Sequence, residues 1–197
     1  KSFLALALTA IVSNGHPFPD LETGIPDKSD RTTPGTVLYA SVEDAPNDTL
    51  VPRLMAMEAN LENVTFLEGV RKKDPETEEW FVDILSFGNL KIIEEAFKET
   101  GCTLAIFDPL QGFGGGANMN HAHEIRRMLA PMATLAEKHE VAILLIAHPR
   151  KSSAERSLQR LSGSMDIGAA ARSVLLVGDA PQKQGERAIV QIKNNLA

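Results

Sequence analysis

Three continuously apolar segments constrain the fold of this chain most strongly, and they lie at residues 37–42, 103–107 and 141–147. A strand that is apolar along its whole length must be covered on both faces, as the strands of parallel sheets are. The segments between and beside them have helical patterns and lie at residues 48–60, 90–98 and 120–139. This alternation predicts an α/β fold of three layers, in which helices cover both faces of a mainly parallel central sheet.

Weaker patterns add elements around this sheet. An apolar segment rich in alanine and leucine at 3–12 predicts a buried helix, and short strands are expected at 64–67 and 80–85. Two further strands, at 174–177 and 188–192, are predicted to pair near an edge of the sheet. The length of 197 residues suits one domain that takes in the whole chain, residue 1 to residue 197.

Composition excludes several classes of protein. Hydrophobic residues make up 43% of the chain and charged residues 23%, which is the balance of a globular protein and not of a disordered one. No apolar run approaches the roughly 20 residues of a membrane span, so we expect no membrane partner. Cys102 is the one cysteine and cannot form an internal disulfide, which favours a cytoplasmic location.

Charge is distributed unevenly along the chain. The net charge of −6 argues against a surface that binds nucleic acid throughout. Residues 74–99 hold eight acidic and two basic residues, whereas residues 150–172 hold five basic and two acidic ones. We therefore expect any contact with a polyanion in the second stretch.

Polar residues follow three of the predicted strands. In an open parallel sheet, ligands bind beyond the carboxyl ends of the strands. Glu43 and Asp44 end the first apolar segment, Asp108 ends the second, and His148 ends the third. The sequence therefore predicts a chemical site at this edge.

Lys1 and Ser2 stand directly before the apolar helix and match the last two positions of the phosphate-loop pattern G-x-x-x-x-G-K-[ST]. In that loop the lysine meets the phosphates, the hydroxyl binds Mg²⁺, and the helix N-terminus attracts the anion. Ser2 is equally a common helix N-cap, and the glycines of the pattern are absent. We expect the strand and glycine loop of such a site to precede Lys1. Asp108 has the form of the partner motif, whose acid holds magnesium.

A series of short motifs runs in order along nearly the whole chain: Lys1-Ser2, LYASVED (38–44), LAIFDPL (104–110), LIAHPRKS (145–152), GSMD (163–166), AARSV (170–174) and KNN (193–195). Their order and spacing resemble those of the RecA-fold P-loop ATPases related to the DnaB-type and RepA-type hexameric replicative helicases, in particular the RepA-like ATPases of phages and plasmids. The resemblance implies a RecA-like P-loop NTPase fold, ATP and Mg²⁺ as cofactors, and a homo-oligomeric ring, hexameric in relatives.

The same resemblance implies a role for each residue at the sheet edge. The residues expected to bind the phosphates and magnesium of ATP are Lys1, Ser2 and Asp108, with Mg²⁺ held by Ser2 and Asp108. Glu43 would be the general base that activates the attacking water, with Asp44 as its rival. His148 would sense the γ-phosphate and signal to a DNA-facing loop. These roles agree with what phosphoryl transfer to water requires.

Two further groups are implied by the resemblance. The residues expected to face single-stranded DNA in the channel of the ring are Arg150, Lys151, Arg156 and Arg160. Lys193 matches the position of a cation that relatives supply to the neighbouring subunit, and Arg187 is a further candidate for that role. Asn195 stands where relatives often have arginine, and Arg172 is less favoured because it precedes an apolar strand.

Three functions are compatible with these features. The first is an ATP-hydrolysing motor or helicase-like core in DNA replication or repair, in particular of a mobile element. The second is a RecA-fold ATPase that is not a motor and regulates the assembly of a partner protein. The third is a non-catalytic scaffold with a decayed nucleotide site, against which the retained Glu43, Asp108 and His148 argue.

Two other motifs receive structural interpretations. His121 and His123 suggest a metal pair, but the sequence offers no cysteine or acid at an obvious ligand spacing, so they are interpreted as solvent-facing helix residues. The glycines at 112–116 lack a following Gly-Lys-Ser/Thr ending and are interpreted as a flexible connector.

Overall fold

A computed structural model of the protein describes residues 1–20, 25–27, 29–119, 121–148, 166–180 and 185–195. Its helices are α1 (Ser2–Asn14), α2 (Val51–Ala56), α3 (Leu90–Thr100), α4 (Ala122–His139) and α5 (Asp166–Ala170). Its strands are β1 (Val37–Ser41), β2 (Val64–Phe66), β3 (Val70–Lys73), β4 (Trp80–Asp83), β5 (Leu104–Asp108), β6 (Ala142–Leu145), β7 (Ser173–Asp179) and β8 (Arg187–Asn194).

The central sheet has four strands in the order β2-β1-β5-β6, and all of its neighbouring strands are parallel. The register places Ser41 of β1 opposite Asp108 of β5, and Phe107 of β5 opposite Leu145 of β6. The carboxyl ends of these three strands therefore reach the same edge. The predicted α/β class with a mainly parallel sheet is confirmed.

Each face of the sheet carries its own apolar cluster. Along β1, Val37 and Tyr39 pack in the cluster that includes residues of α1 and α2, whereas Leu38 and Ala40 pack in the cluster that includes residues of α3 and α4. Successive residues of a strand point to opposite faces, so a continuously apolar strand supplies both clusters. The three-layer arrangement predicted from the apolar segments is confirmed.

Helix α1 is buried as its composition predicts. Ala5 and Leu6 are inaccessible to solvent, and the buried Thr9 hydroxyl donates to the Ala5 carbonyl at 2.9 Å, which satisfies its polar atom within the helix. The helix ends at Gly15 with φ of 63°, where a Cβ atom would lie 2.3 Å from the Thr32 carbonyl oxygen, so only glycine fits. No helix in the described part of the chain is long and apolar enough to cross a membrane.

The structure shortens two predicted elements. The helix expected at 48–60 is a π-helical turn at Pro46–Leu50 followed by α2, in which Pro52 lacks the N–H that would extend regular hydrogen bonding backward. It ends at Ala56, since Glu58 adopts a left-handed φ of 57° that a helix cannot continue through. The strand expected at 141–147 is confined to β6, and just beyond it the Ile146 carbonyl accepts a hydrogen bond from the Leu110 N–H at 2.7 Å instead of from a neighbouring strand.

Two strand pairs differ from the prediction. The polar segment Val70–Lys73 forms β3, which pairs antiparallel with β4 and was not anticipated because it lacks an apolar pattern. Strands β7 and β8 pair antiparallel as predicted, but within the described residues they form a separate two-stranded sheet.

Glu94 connects α3 to α4 through ionic contacts. Its Oε1 atom lies 2.6 Å from Lys138 Nζ, 3.0 Å from Lys98 Nζ and 3.2 Å from His139 Nε2. The hydrogen bonds from these three side chains lower the pKa of the Glu94 carboxyl to about 2, and the one from Lys138 contributes most. Because the folded-state pKa lies below the ordinary value of 4.5, the ionised carboxylate stabilises the folded chain above that value.

We expect the Glu94→Gln variant to unfold at a lower temperature than the wild type at neutral pH. The difference should shrink as the pH falls from about 4.5 toward 2, because the unfolded chain binds a proton at this carboxyl near 4.5 whereas the folded chain does so only near 2. Thermal unfolding followed by circular dichroism across that range measures the difference. Glu95→Gln, on the same helix and exposed, is the control. A Glu94→Gln difference that does not change with pH would contradict the assignment.

Candidate active site

The carboxyl edge of the central sheet brings three of the predicted residues together. Asp108 ends β5, and its carbonyl oxygen accepts a hydrogen bond from the Val42 N–H at 3.3 Å, directly before Glu43. At the other side of β5, the Ile146 N–H donates to the Phe107 carbonyl at 3.0 Å, two residues before His148. Parallel pairing in register therefore gathers at one edge the side chains that the sequence distributes over more than a hundred positions.

Lys1 lies at this same edge, at the start of α1. Its ammonium donates to the Ala147 carbonyl at 2.7 Å, the residue that precedes His148. Partial burial lowers the pKa of Lys1, and the negative charge of Asp108 acts in the opposite direction. Ser2 follows as the first residue of α1, whose first turn carries no acidic residue. The positive end of the α1 dipole is therefore not neutralised by a side chain of its own first turn.

Asp108 is a buried carboxylate, 5% exposed, and Tyr39 holds it in place. The Tyr39 hydroxyl donates to Asp108 Oδ2 at 3.0 Å. Burial, and then the negative charge of Asp108, raise the pKa of Tyr39 well above its ordinary range, so the phenol keeps its proton and remains a donor. Sequence reasoning missed Tyr39 because a tyrosine within an apolar strand is ordinary core. Strand register explains the contact. Tyr39 of β1 pairs with Ile106 of β5, and Asp108 lies two residues further along β5, so Tyr39 and Asp108 point to the same face of the sheet.

Glu43 and His148 face each other across this edge. Their Oε2 and Nε2 atoms are 3.9 Å apart, and both side chains are more than half exposed. Asp44, the rival to Glu43, instead pairs with Arg53 at 3.3 Å, and the Arg53 guanidinium lies over the ring of Phe3, 5.1 Å from its centre. The Asp44 carboxylate is therefore already engaged by a cation, whereas Glu43 faces the edge where a water could be activated.

Gln111 is a second residue that sequence reasoning missed. Its side-chain nitrogen approaches the His148 carbonyl at 3.5 Å. Its Oε1 atom is buried, and within the described part of the chain it has no hydrogen-bond partner. A buried acceptor without a partner is costly, so this atom fits a site in which a bound group or an ordered water completes the contact.

The residues at this edge fit a phosphate chain with a divalent cation. The Asp108 carboxylate offers the hard oxygen ligand that magnesium prefers. The Lys1 ammonium and the amino end of α1 are cationic and suit an anionic phosphate. Lys1 commits one of its three protons to Ala147, so two remain for an anion.

The other predicted site residues lie elsewhere. The Lys193 ammonium donates to three carbonyls at the end of α5, those of Gly168, Ala169 and Ala171, at 2.7–3.0 Å. These three bonds use all of its protons, so a role toward a neighbouring subunit would require Lys193 to leave them. Arg187 pairs with Asp179 at 3.1 Å between β7 and β8.

The basic residues predicted to face DNA fall outside the described residues: Arg150, Lys151, Arg156 and Arg160.

In the glycine-rich segment at 112–116, the side chain of Phe113 is buried in the core. Phe113 is 1% exposed and packs edge-to-face on Phe107, with ring centres 5.2 Å apart, and its carbonyl accepts a hydrogen bond from the Phe87 N–H at 2.9 Å. Gly115 and Gly116 have positive φ values of 58° and 86°, which favour glycine. The segment is therefore fixed at Phe113, and its backbone reversal follows at these two glycines.

Comparisons with known proteins agree with this geometry. The model of the AAA domain family matches residues 1–154, more than three quarters of the chain and all of the edge described above. No curated protein matches the sequence. Among solved structures, the crystal structure of a KaiC-like protein from the hyperthermophilic archaeon Pyrococcus horikoshii OT3 is similar, with a TM-score of 0.52 and 16% identity, over 82% of this chain and 68% of that one.

At this identity the structural likeness establishes the fold, which is RecA-like as predicted. The family match extends the conclusion to the class of protein, because it covers both the start of α1 and the strand that ends at Asp108. The chain belongs to the AAA domain family and is an AAA-type P-loop ATPase domain.

Proposed function

We propose that this chain is the ATP-hydrolysing core of a RecA-type motor that acts on DNA in replication or repair, as in the copying of a mobile element. One observation carries the proposal. The amino end of α1 with Lys1, the buried Asp108, and the facing pair Glu43 and His148 share a single edge of the sheet. Cation, carboxylate ligand, base and sensor are the parts that phosphoryl transfer to water requires.

Each residue has a task in this proposal. ATP supplies the phosphoryl group when bound, and Mg²⁺ neutralises charge on its phosphates. Lys1 and the start of α1 bind the phosphates, and Ser2 and Asp108 hold the cation, with Tyr39 fixing the orientation of Asp108. Glu43 accepts the proton of the attacking water.

The remaining tasks concern signalling and surroundings. The contact of His148 with Glu43 would link occupancy of the site to the adjoining basic segment. Lys193 or Arg187 would serve the neighbouring subunit of a homo-oligomeric ring. Cys102 is buried and unpaired, which is in keeping with a reducing, cytoplasmic setting.

We expect Glu43→Gln to reduce ATP turnover by about 10²–10⁴-fold while leaving ATP binding intact, because the amide keeps the shape but cannot accept a proton. Steady-state phosphate release measures turnover, and a fluorescent ATP analogue measures binding. Both measurements use the full-length protein.

Asp44→Asn is the matched control for this experiment. Its carboxylate pairs with Arg53, so its loss should lower turnover far less than the loss of Glu43. If Asp44→Asn abolished turnover and Glu43→Gln did not, the assignment of the base would be wrong.

We expect Tyr39→Phe to raise the Mg²⁺ concentration needed for half-maximal turnover by about 10-fold or more, because Asp108 loses the donor that orients it. The unpartnered Asp108 oxygen should also cost about 1–3 kcal/mol of unfolding free energy. Titrating Mg²⁺ in the turnover assay tests the first expectation, and urea unfolding tests the second. Recovery of turnover at saturating Mg²⁺ is the expected control. An unchanged Mg²⁺ dependence would show that Tyr39 serves only packing.

We expect single-stranded DNA to stimulate ATP turnover. We also expect the double variant Arg156→Glu with Arg160→Glu to bind single-stranded DNA more weakly, with an affinity that depends less steeply on salt concentration. The physical reason is the loss of phosphate contacts from the basic stretch at residues 150–172. Fluorescence anisotropy at several salt concentrations measures both. The matched control, Arg71→Glu with Lys91→Glu, changes the net charge equally on exposed residues of β3 and α3. Equal loss of binding in both double variants would remove the assignment to the basic stretch.

The net charge of −6 supports one competing function. A RecA-fold ATPase that regulates assembly of a partner protein has no need of a basic channel. ATP turnover that is indifferent to single-stranded DNA would favour this second function over the motor. Absence of nucleotide binding in the full-length protein would favour a scaffold over both.

A further inference from the structure

A cluster of two histidines and a glutamate lies at the start of α4, apart from the residues assigned to the nucleotide. His121 precedes the helix, and His123 and Glu124 belong to its first turn. The sequence interpretation that no acid joins the two histidines is wrong, because Glu124 stands three residues after His121 and its Oε1 atom lies 3.0 Å from His121 Nδ1. In the described part of the chain, each of these three residues offers one atom that could bind a metal, and the three atoms lie within 4.8 Å of one another.

The backbone explains why the two histidines meet. Residues two apart on a regular helix do not face each other. His121, however, is the N-cap residue and has an extended backbone, with φ of −102° and ψ of 116°. Its side chain therefore leaves the helical register and folds over the first turn, where its ring stacks on that of His123 with centres 5.7 Å apart.

Glu124 is oriented toward both histidines. Its Oε1 atom lies 3.0 Å from His121 Nδ1 and 3.9 Å from His123 Nε2. Its Oε2 atom accepts a hydrogen bond from the Asn118 N–H at 2.7 Å, which fixes the carboxylate in this orientation. One Glu124 oxygen is thus held by a backbone N–H, and the other faces two imidazole nitrogens. In metal sites, hydrogen bonds of this kind from neighbouring groups hold a ligand in the orientation that binds the metal.

We propose that His121, His123 and Glu124 bind a divalent transition metal, with Zn²⁺ as the occupant. On a tetrahedral zinc with bonds of about 2.0–2.2 Å, neighbouring ligand atoms lie roughly 3.3 Å apart. The observed 3.0 and 3.9 Å from Glu124 to the two histidines bracket this separation, and all three ligand atoms lie within 4.8 Å of one another.

The ligand types select the metal. Imidazole suits zinc, copper and nickel, whereas magnesium and calcium prefer oxygen ligands, and calcium takes six to eight of them. One carboxylate supplies too few oxygen ligands for such hard cations. Three protein ligands leave a fourth position open to solvent, because the side chains of His121 and His123 are 55% and 80% exposed.

The test is calorimetric titration of ZnCl₂ into the untagged full chain, with excess Mg²⁺ present to occupy the Asp108 edge. We expect one Zn²⁺ per chain, with affinity reduced at least tenfold in each of His121→Ala, His123→Ala and Glu124→Gln. The amide of Glu124→Gln can still accept the Asn118 hydrogen bond, which separates metal binding from the anchoring of the turn. His16→Ala removes an exposed histidine elsewhere and is the matched control, expected to bind as the wild type does.

Two further readouts decide the outcome. Visible absorption of the Co²⁺-substituted chain should show tetrahedral d–d bands that the three variants lose and His16→Ala keeps. Far-UV circular dichroism in EDTA should be the same for all variants, since the substituted side chains lie at the surface. Absence of 1:1 binding, a loss in only one of the three variants, or an equal loss in His16→Ala would overturn the proposal. None of these readouts depends on ATP hydrolysis.

Discussion

The parallel pairing of β1 with β5 is the interaction on which the rest of the structure depends. Both strands are buried on both faces, so their side chains supply the apolar cluster under α1 and α2 as well as the one under α3 and α4. A slip of one residue would exchange the faces of every side chain, so the two clusters specify the register strongly. That register sets Ser41 opposite Asp108 and aligns the strand ends at which Glu43 and Asp108 lie.

Charge at this edge is organised by burial as well as by proximity. Asp108 is nearly inaccessible, and its partners are the neutral hydroxyl of Tyr39 and the partly buried ammonium of Lys1, which is close enough to be influenced by its charge. A buried carboxylate with few fixed partners keeps coordination capacity for a cation. Glu43 and His148, in contrast, are exposed and face each other at 3.9 Å. The edge thus combines a buried carboxylate with an exposed carboxylate–imidazole pair.

Much of the fold was predictable because its signals are local. Apolar runs without polar interruption indicate strands covered on both faces, and the predicted three layers follow from that rule. The misplaced elements have local reasons too, since Pro52 shortens the helix near residue 50 and the polar β3 has no apolar pattern to reveal it. For the candidate site, the sequence indicated the edge and its residue types, because Glu43, Asp108 and His148 each lie at or just beyond the carboxyl end of an apolar segment.

By itself, then, the sequence determined the α/β class, the sheet edge of the candidate site and the residues that lie there. Only the tertiary structure decided which side chains touch. It joined Tyr39 to Asp108 across 69 positions, engaged Asp44 with Arg53 and Lys193 with the end of α5, and turned His121 toward Glu124. The physical reason is that periodicity reports the local environment of a residue, whereas a contact depends on register, helix ends and rotamers that distant parts of the chain impose together.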